Sequence, residues 1–152
     1  MLPPEVRQVV AHAHARHSPI TLVTGVFDLL HAEHLRFLKK AKELGGVLIV
    51  GVESDVRVRQ MKGPGRPVND QLKRCTDLTN TRIPDQVFIL PEQFSQPADH
   101  ERLIAEVRPK YLAVSSHTAH QENKRRLLAK YGGEVVVVHE HNPSISTSKL
   151  LQ

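Results

Sequence analysis

The chain has no tryptophan, and its aromatic residues stop at 4 Phe and 2 Tyr among 152 residues. An aromatic core is thereby excluded, and Leu, Ile, Val and Ala must fill the interior. Cysteine occurs once, at Cys75. That excludes an internal disulfide framework and a cysteine-based zinc site, and no neighbouring residue marks the thiol as a nucleophile. Apolar runs are short, none approaching the roughly 20 residues of a membrane-spanning helix, so no membrane partner is expected. The first residues carry no signal-like pattern, and with the lone thiol this gives an expectation of the reducing cytoplasm. Repeats, low-complexity tracts and linkers are also missing.

What the chain does have is positive charge, a formal +5. Such an excess suits nucleic acid, an anionic membrane or small phosphorylated ligands. Its basic residues are scattered over helices and loops without an aromatic-interleaved stripe on which bases could stack, so nucleic acid is not the expected partner. The length fits one domain that buries roughly two thirds of the surface its unfolded form exposes.

Pro3 and Pro4 open an amphipathic helix over Glu5 to Arg16, and residues 1–19 read as an N-terminal helix ahead of a domain over 20–152. β-Branched apolar runs follow at Ile20 to Thr24, Val47 to Val52, Val87 to Leu90, Tyr111 to Val114 and Val135 to Val138. They predict five short, fully buried strands. Helix-length segments lie between them at Ala32 to Leu44, Asp70 to Thr79, Glu101 to Val107 and Gln121 to Tyr131. This alternation predicts a Rossmann-like α/β domain. It is a doubly wound five-stranded parallel sheet whose ligands bind outside the carboxyl ends of the strands.

At the carboxyl end of the first predicted strand comes GVFDLLHAEH, where Gly25 and Asp28 precede His31 and His34. Histidine spacing alone says little, because 10 histidines in a chain of this length give roughly one pair three residues apart by accident. His14 and His17, and His117 and His120, share the same spacing. The His12, His14 and His17 cluster reads as exposed helix surface. Context singles out His31 and His34, which open a helix whose free N–H groups and positive dipole end favour an anion. An N–H-donating imidazole there adds a donor for charge developing on a phosphoryl group. The competing reading is a pair of helix-opening residues satisfied by local carbonyls. A metal site is not expected, since no third ligand has suitable spacing.

Two further stretches break the strand and helix pattern. MKGPGRPVND, Met61 to Asp70, is a glycine- and proline-rich loop carrying Lys62 and Arg66, two cations suited to phosphate. NPSISTS, Asn142 to Ser148, offers hydroxyls ahead of a short final helix.

Together these segments resemble the nucleotidyltransferase superfamily marked by a His-x-Gly-His motif, the cytidylyltransferase-like enzymes. Heptose 1-phosphate adenylyltransferases and glycerol-3-phosphate cytidylyltransferases are the members most alike. The resemblance runs from about Ile20 to Leu151 through GVFDLLHAEHLRFLKKAKELG, LIVGVESD, KGPGRPVN and SISTSKL. It implies transfer of a nucleotidyl group, adenylyl or cytidylyl with adenylyl the first expectation, from ATP or CTP to a sugar or polyol phosphate. Pyrophosphate leaves, magnesium assists, and a homodimer is the implied assembly. By position the resemblance gives His31 and His34 to the α-phosphoryl transition state and Lys62 to the incoming phosphate or triphosphate. Arg66 and Arg74 then bind the substrate phosphate or the triphosphate, Ser146, Thr147 and Ser148 the β- and γ-phosphates, and Gly25, Val26 and Phe27 line the nucleotide cleft.

The motif glycine is replaced here by Glu33. A carboxylate about 4 Å from a phosphate charge costs ~1 kcal/mol in water and ~4 kcal/mol near a protein surface, unless it turns outward or pairs with a cation. The alternative function is accordingly a non-catalytic module that binds a nucleotide or phosphorylated ligand. Ser115 to Ala119, Ser144 and His141 also depart from the family pattern.

Overall fold

The computed structural model describes residues 1–139. Its elements run α1 (Pro4–Ala15), β1 (Ile20–Gly25), α2 (Ala32–Glu43), β2 (Val47–Val52), α3 (Asp55–Lys62), α4 (Gln71–Asn80), β3 (Gln86–Ile89), α5 (Pro97–Val107), β4 (Tyr111–Ser115), α6 (Gln121–Lys130) and β5 (Glu134–His139). The strands form one five-stranded sheet in the order β3-β2-β1-β4-β5, and every pairing is parallel. The chain therefore reverses direction across the sheet between β1 and β4, the point at which such sheets open a crevice.

Period-two alternation divides the core. On β1 and β2, Ile20, Leu22, Val47 and Ile49 pack with α1, α5 and α6 through Val6, Val10, Leu103, Val107 and Leu128. Val23, Leu48, Val50 and Val52 face the other way, onto Leu38 and Ala41 of α2 and Leu78 of α4. Both faces of β2 are covered, which accounts for its unbroken apolar sequence. Gly46 lies too close to Pro19 for any side chain, since a Cβ would sit 1.9 Å from the Pro19 carbonyl oxygen.

Two details differ from the sequence expectation. Helix α3 is an addition to it, because only Val58 of its eight residues is buried. The Ser54 side chain caps it by accepting from the Arg57 N–H. His14 is not merely exposed helix surface: its Nε2 donates to the Val107 carbonyl at 2.9 Å and ties α1 to α5. Cys75 lies half-buried in α4, where burial pushes its thiol up and Arg74 partly offsets this. No described helix is long and apolar enough to cross a membrane.

Candidate active site

β1 delivers its carboxyl end, Gly25, into a turn that needs two backbone concessions. Phe27 adopts a positive φ of 53°, and a Cβ on Gly25 would lie 2.8 Å from the Phe27 ring. A residue larger than glycine at position 25 would push the buried Phe27 ring out of its seat. The turn then presents His31, in extended backbone conformation, as the N-cap of α2.

His31 fills the role more often taken by Ser, Thr, Asp or Asn. Its Nδ1 accepts the Glu33 N–H at 3.2 Å, which leaves the ring proton on Nε2. Three residues on, His34 stacks against it with ring centroids 3.9 Å apart and planes 20° from parallel. The Phe27 ring meets His34 edge-on at 5.5 Å. Burial first, and the His31 charge second, lower the His34 pKa to about 4, with a backbone interaction to Leu29 opposing them. His34 is therefore neutral near pH 7, able to donate one N–H without bringing a charge. Its Nδ1 is buried and has no hydrogen-bond partner among the described residues.

The cationic loop reaches the same place. The Lys62 charge acts on His34, and Lys62 is itself held below its usual range by partial desolvation first and Arg66 second, with Asp28 opposing. Arg66 lies with Nε 3.7 Å from Asp28 Oδ2, beyond hydrogen-bonding distance. Its Nε and Nη2 are buried and without hydrogen-bond partners among the described residues. Asp28 balances part of the charge without closing either nitrogen by a hydrogen bond, so both can still donate to a phosphate. An open cavity of about 460 Å³ lies against this loop, lined by Asp55, Arg59, Arg66, Val68 and Asp70 among others. It shares Arg66 with the site but contains neither histidine.

Asp28 fastens the loop. Only 2% exposed, its carboxylate accepts the Val68 N–H and the Asn69 N–H, each at 2.8 Å, and its carbonyl accepts from Asn69 Nδ2 at 2.7 Å. Its partners lie some forty residues along the chain, out of reach of any local sequence pattern. Asp28→Ala is expected to cost about 1–3 kcal/mol by leaving two backbone donors unpaired. It should also open residues 63–70 to limited proteolysis. Unchanged melting and unchanged cleavage in that loop would contradict the latch.

Arg74 differs most from its expected place. Rather than facing a phosphate, its side chain is fully buried. Nε donates to the Asn69 carbonyl at 3.0 Å, Nη1 to the carbonyls of Val26 and Glu53 at 2.9 and 2.8 Å, and Nη2 to Asp55 Oδ1 at 2.8 Å. One guanidinium so joins the turn after β1, the end of β2, the start of α3 and the cationic loop. Its geometry is that of a positioning residue.

Glu33 does not stand as a bare carboxylate: Arg36 Nη2 meets its Oε1 at 2.6 Å, one helical turn along α2. Gly25, Val26, Phe27, His31, His34, Lys62 and Arg66 gather at one end of β1. Ser146, Thr147 and Ser148 lie outside the described residues, as do Ser144 and His141.

The family model described as cytidylyltransferase-like matches residues 22–152. Among curated proteins the chain is similar to the bifunctional protein HldE of Photobacterium profundum. The two are 35% identical over 150 residues, a match covering 97% of this chain and 30% of that protein. The bifunctional protein HldE of a Nitratiruptor species is 43% identical over 88 residues, covering 58% of this chain and 19% of that protein. The chain thus spans less than a third of the length of these curated relatives. Among solved structures it is similar to the lipopolysaccharide core biosynthesis protein from Thermoplasma volcanium. That match has a TM-score of 0.65 and 25% identity, covering 82% of this chain and 98% of that one. Pantoate-beta-alanine ligase from Francisella tularensis, complexed with beta-gamma ATP and beta-alanine, shares the fold at a TM-score of 0.66 and 16% identity, covering 97% of this chain and 71% of that one.

Proposed function

The chain belongs to the cytidylyltransferase-like family, and from that premise we propose that it transfers a nucleotidyl group, adenylyl in preference to cytidylyl, from a nucleoside triphosphate to a sugar or polyol phosphate. The observation that carries this reading is the stacked His31 and His34 pair opening α2 at the carboxyl end of β1, beside Lys62 and Arg66.

A phosphate oxygen of the acceptor attacks the α-phosphorus in line, the bond to the bridging oxygen of the β-phosphate breaks, and pyrophosphate leaves. Such a transfer asks the protein for position and charge rather than a covalent nucleophile. His31 and His34 donate N–H groups to the α-phosphoryl oxygens, where negative charge is redistributed as the bonds change. Lys62 and Arg66 hold the two phosphorylated substrates together against their mutual repulsion. Gly25, Val26 and Phe27 lend backbone groups to the nucleotide cleft, and Ser146, Thr147 and Ser148 receive the β- and γ-phosphates. Arg74 acts through the turn it anchors.

Among the described residues no group of three His, Cys, Asp or Glu could hold a metal ion. The nearby carboxylates of Asp28 and Glu33 are engaged with the loop backbone and with Arg36. These residues do not build a magnesium site of their own. Magnesium would enter with the triphosphate and would supply charge neutralisation there.

The Glu33 and Arg36 pair supports turnover, because the carboxylate's charge is offset within the helix. Arg36→Ala is expected to weaken triphosphate binding up to about fivefold, the scale of one exposed ion pair. In a Glu33→Gly background the same change should do nothing. Calorimetric titration of the four proteins checks this, and an equal loss in both backgrounds would contradict it.

The function itself is tested by incubating the protein with each nucleoside triphosphate, magnesium and a panel of sugar and polyol phosphates. Pyrophosphate release that requires both substrates supports the proposal. Triphosphate binding without pyrophosphate release across the panel points to the non-catalytic alternative.

A further inference from the structure

Beside the histidine pair, at the next strand, the chain places charge on the opposite side of the sheet. On β2, Val47 and Ile49 face α1, α5 and α6, whereas Leu48, Val50 and Val52 face α2 and α4. Alternation carries Glu53 to the α5 and α6 side. Its main chain is fixed from both directions: the N–H donates to the Gly25 carbonyl at 2.9 Å, and the carbonyl accepts from Arg74 Nη1 at 2.8 Å. Glu53 is therefore rigidly held one strand away from the turn that presents His31 and His34.

Two cations from two other elements act on it, and both also act on a histidine of a third. Arg57 stands in the first turn of α3, His100 in α5 and Lys124 in α6. The charges of Arg57 and Lys124 act on both Glu53 and His100, and His100 rests against the Phe94 ring at 4.3 Å. Lys124 Nζ donates to the Ala119 carbonyl at 3.1 Å, which holds it at the edge of the crevice. All four residues are partly buried. Even so, Glu53 Oε2 and Arg57 Nε are buried with no hydrogen-bond partner among the described residues. A buried acceptor and a buried donor left open in one cluster are destabilising until something supplies both.

The chemistry of the cluster narrows that partner. Glu53 repels a purely anionic group, and the four polar side chains disfavour an apolar one. Alcohol hydroxyls satisfy both needs, since each donates to a carboxylate and accepts from a guanidinium or ammonium. We infer that Glu53, Arg57, His100 and Lys124 form the pocket that reads the hydroxyl groups of a polyhydroxylated acceptor. Glu53 is its specificity-determining residue. The inference rests on the transferase reading for the acceptor's role, with the acceptor's phosphate directed towards Lys62 and Arg66 and its hydroxyls towards Glu53.

The test compares wild type, Glu53→Gln and Lys124→Met in two arms. In the first, thermal shift and calorimetry measure binding of hexose and heptose 1-phosphates, of glycerol 3-phosphate, of inorganic phosphate and of each triphosphate. In the second, steady-state rates give KM for each substrate. Affinity for the best polyhydroxylated phosphate should fall at least tenfold in both variants, with that for inorganic phosphate and triphosphate within twofold of wild type. Its KM should rise in parallel. Equal losses for all ligands, or an unchanged acceptor affinity in either folded variant, would overturn the inference. So would a wild type that binds no polyhydroxylated phosphate better than inorganic phosphate. If wild type binds such an acceptor yet releases no pyrophosphate, the transferase reading fails while the binding arm still decides the pocket.

Discussion

Arg74→Met is expected to destabilise the protein by about 3–5 kcal/mol, the cost of removing one partner from a buried charged network. Methionine keeps much of the volume, so the loss comes from bonding rather than from a cavity. Four acceptors lose their donor: the carbonyls of Asn69, Val26 and Glu53 and the Asp55 carboxylate. Each sits at the end of a different segment, so no single neighbour can replace the guanidinium. Arg74→Lys should recover only part of the loss, since one ammonium cannot span a fork of this width. Urea denaturation of the three proteins measures the effect. A midpoint within error of wild type for the methionine variant would mean that the turn and the loop are held by other contacts.

His34→Ala is expected to lower kcat/KM for nucleotidyl transfer by about 10²–10³, the range for removing one preorganised donor from a site of developing oxyanion charge. Because His34 is neutral at pH 7, the requirement is for an N–H donor rather than a fixed charge. His34→Asn should therefore retain more activity than the alanine variant. The same depressed pKa makes a stability statement. Above pH 6.5 the residue is neutral in both folded and unfolded forms and contributes no pH dependence. Below that, the unfolded chain takes up a proton first, so stability falls as pH drops from 6.5 towards about 4. His34→Ala should flatten that slope. An alanine variant with wild-type turnover would remove His34 from the mechanism.

The strands were legible because β-branched apolar runs bounded by turn residues have few other uses, and their alternation with helices fixed a parallel sheet. Helix α3 was not, since one buried residue, Val58, leaves no periodic stripe to read. The histidine pair was legible from its setting after a strand and turn, while its stacking and the neutral state of His34 depend on burial that only the folded chain creates. Arginine is ordinarily a surface residue, so nothing local marks Arg74 as the fully buried member of its helix. Asp28 bonds backbone some forty residues away, and Glu53 gathers partners from three later elements. Distances of that kind along the chain are set by topology, not by motif.

The central claim, that this site moves a nucleotidyl group, is tested most directly by following the α-phosphate. The protein is supplied with ATP radiolabelled at the α-phosphorus, magnesium and the best-binding sugar phosphate, and the products are separated. Label recovered in a nucleotidyl-sugar, with unlabelled pyrophosphate in equal amount, is the result expected. Label recovered in nucleoside diphosphate, or remaining wholly in the triphosphate while the sugar phosphate is bound, would contradict it.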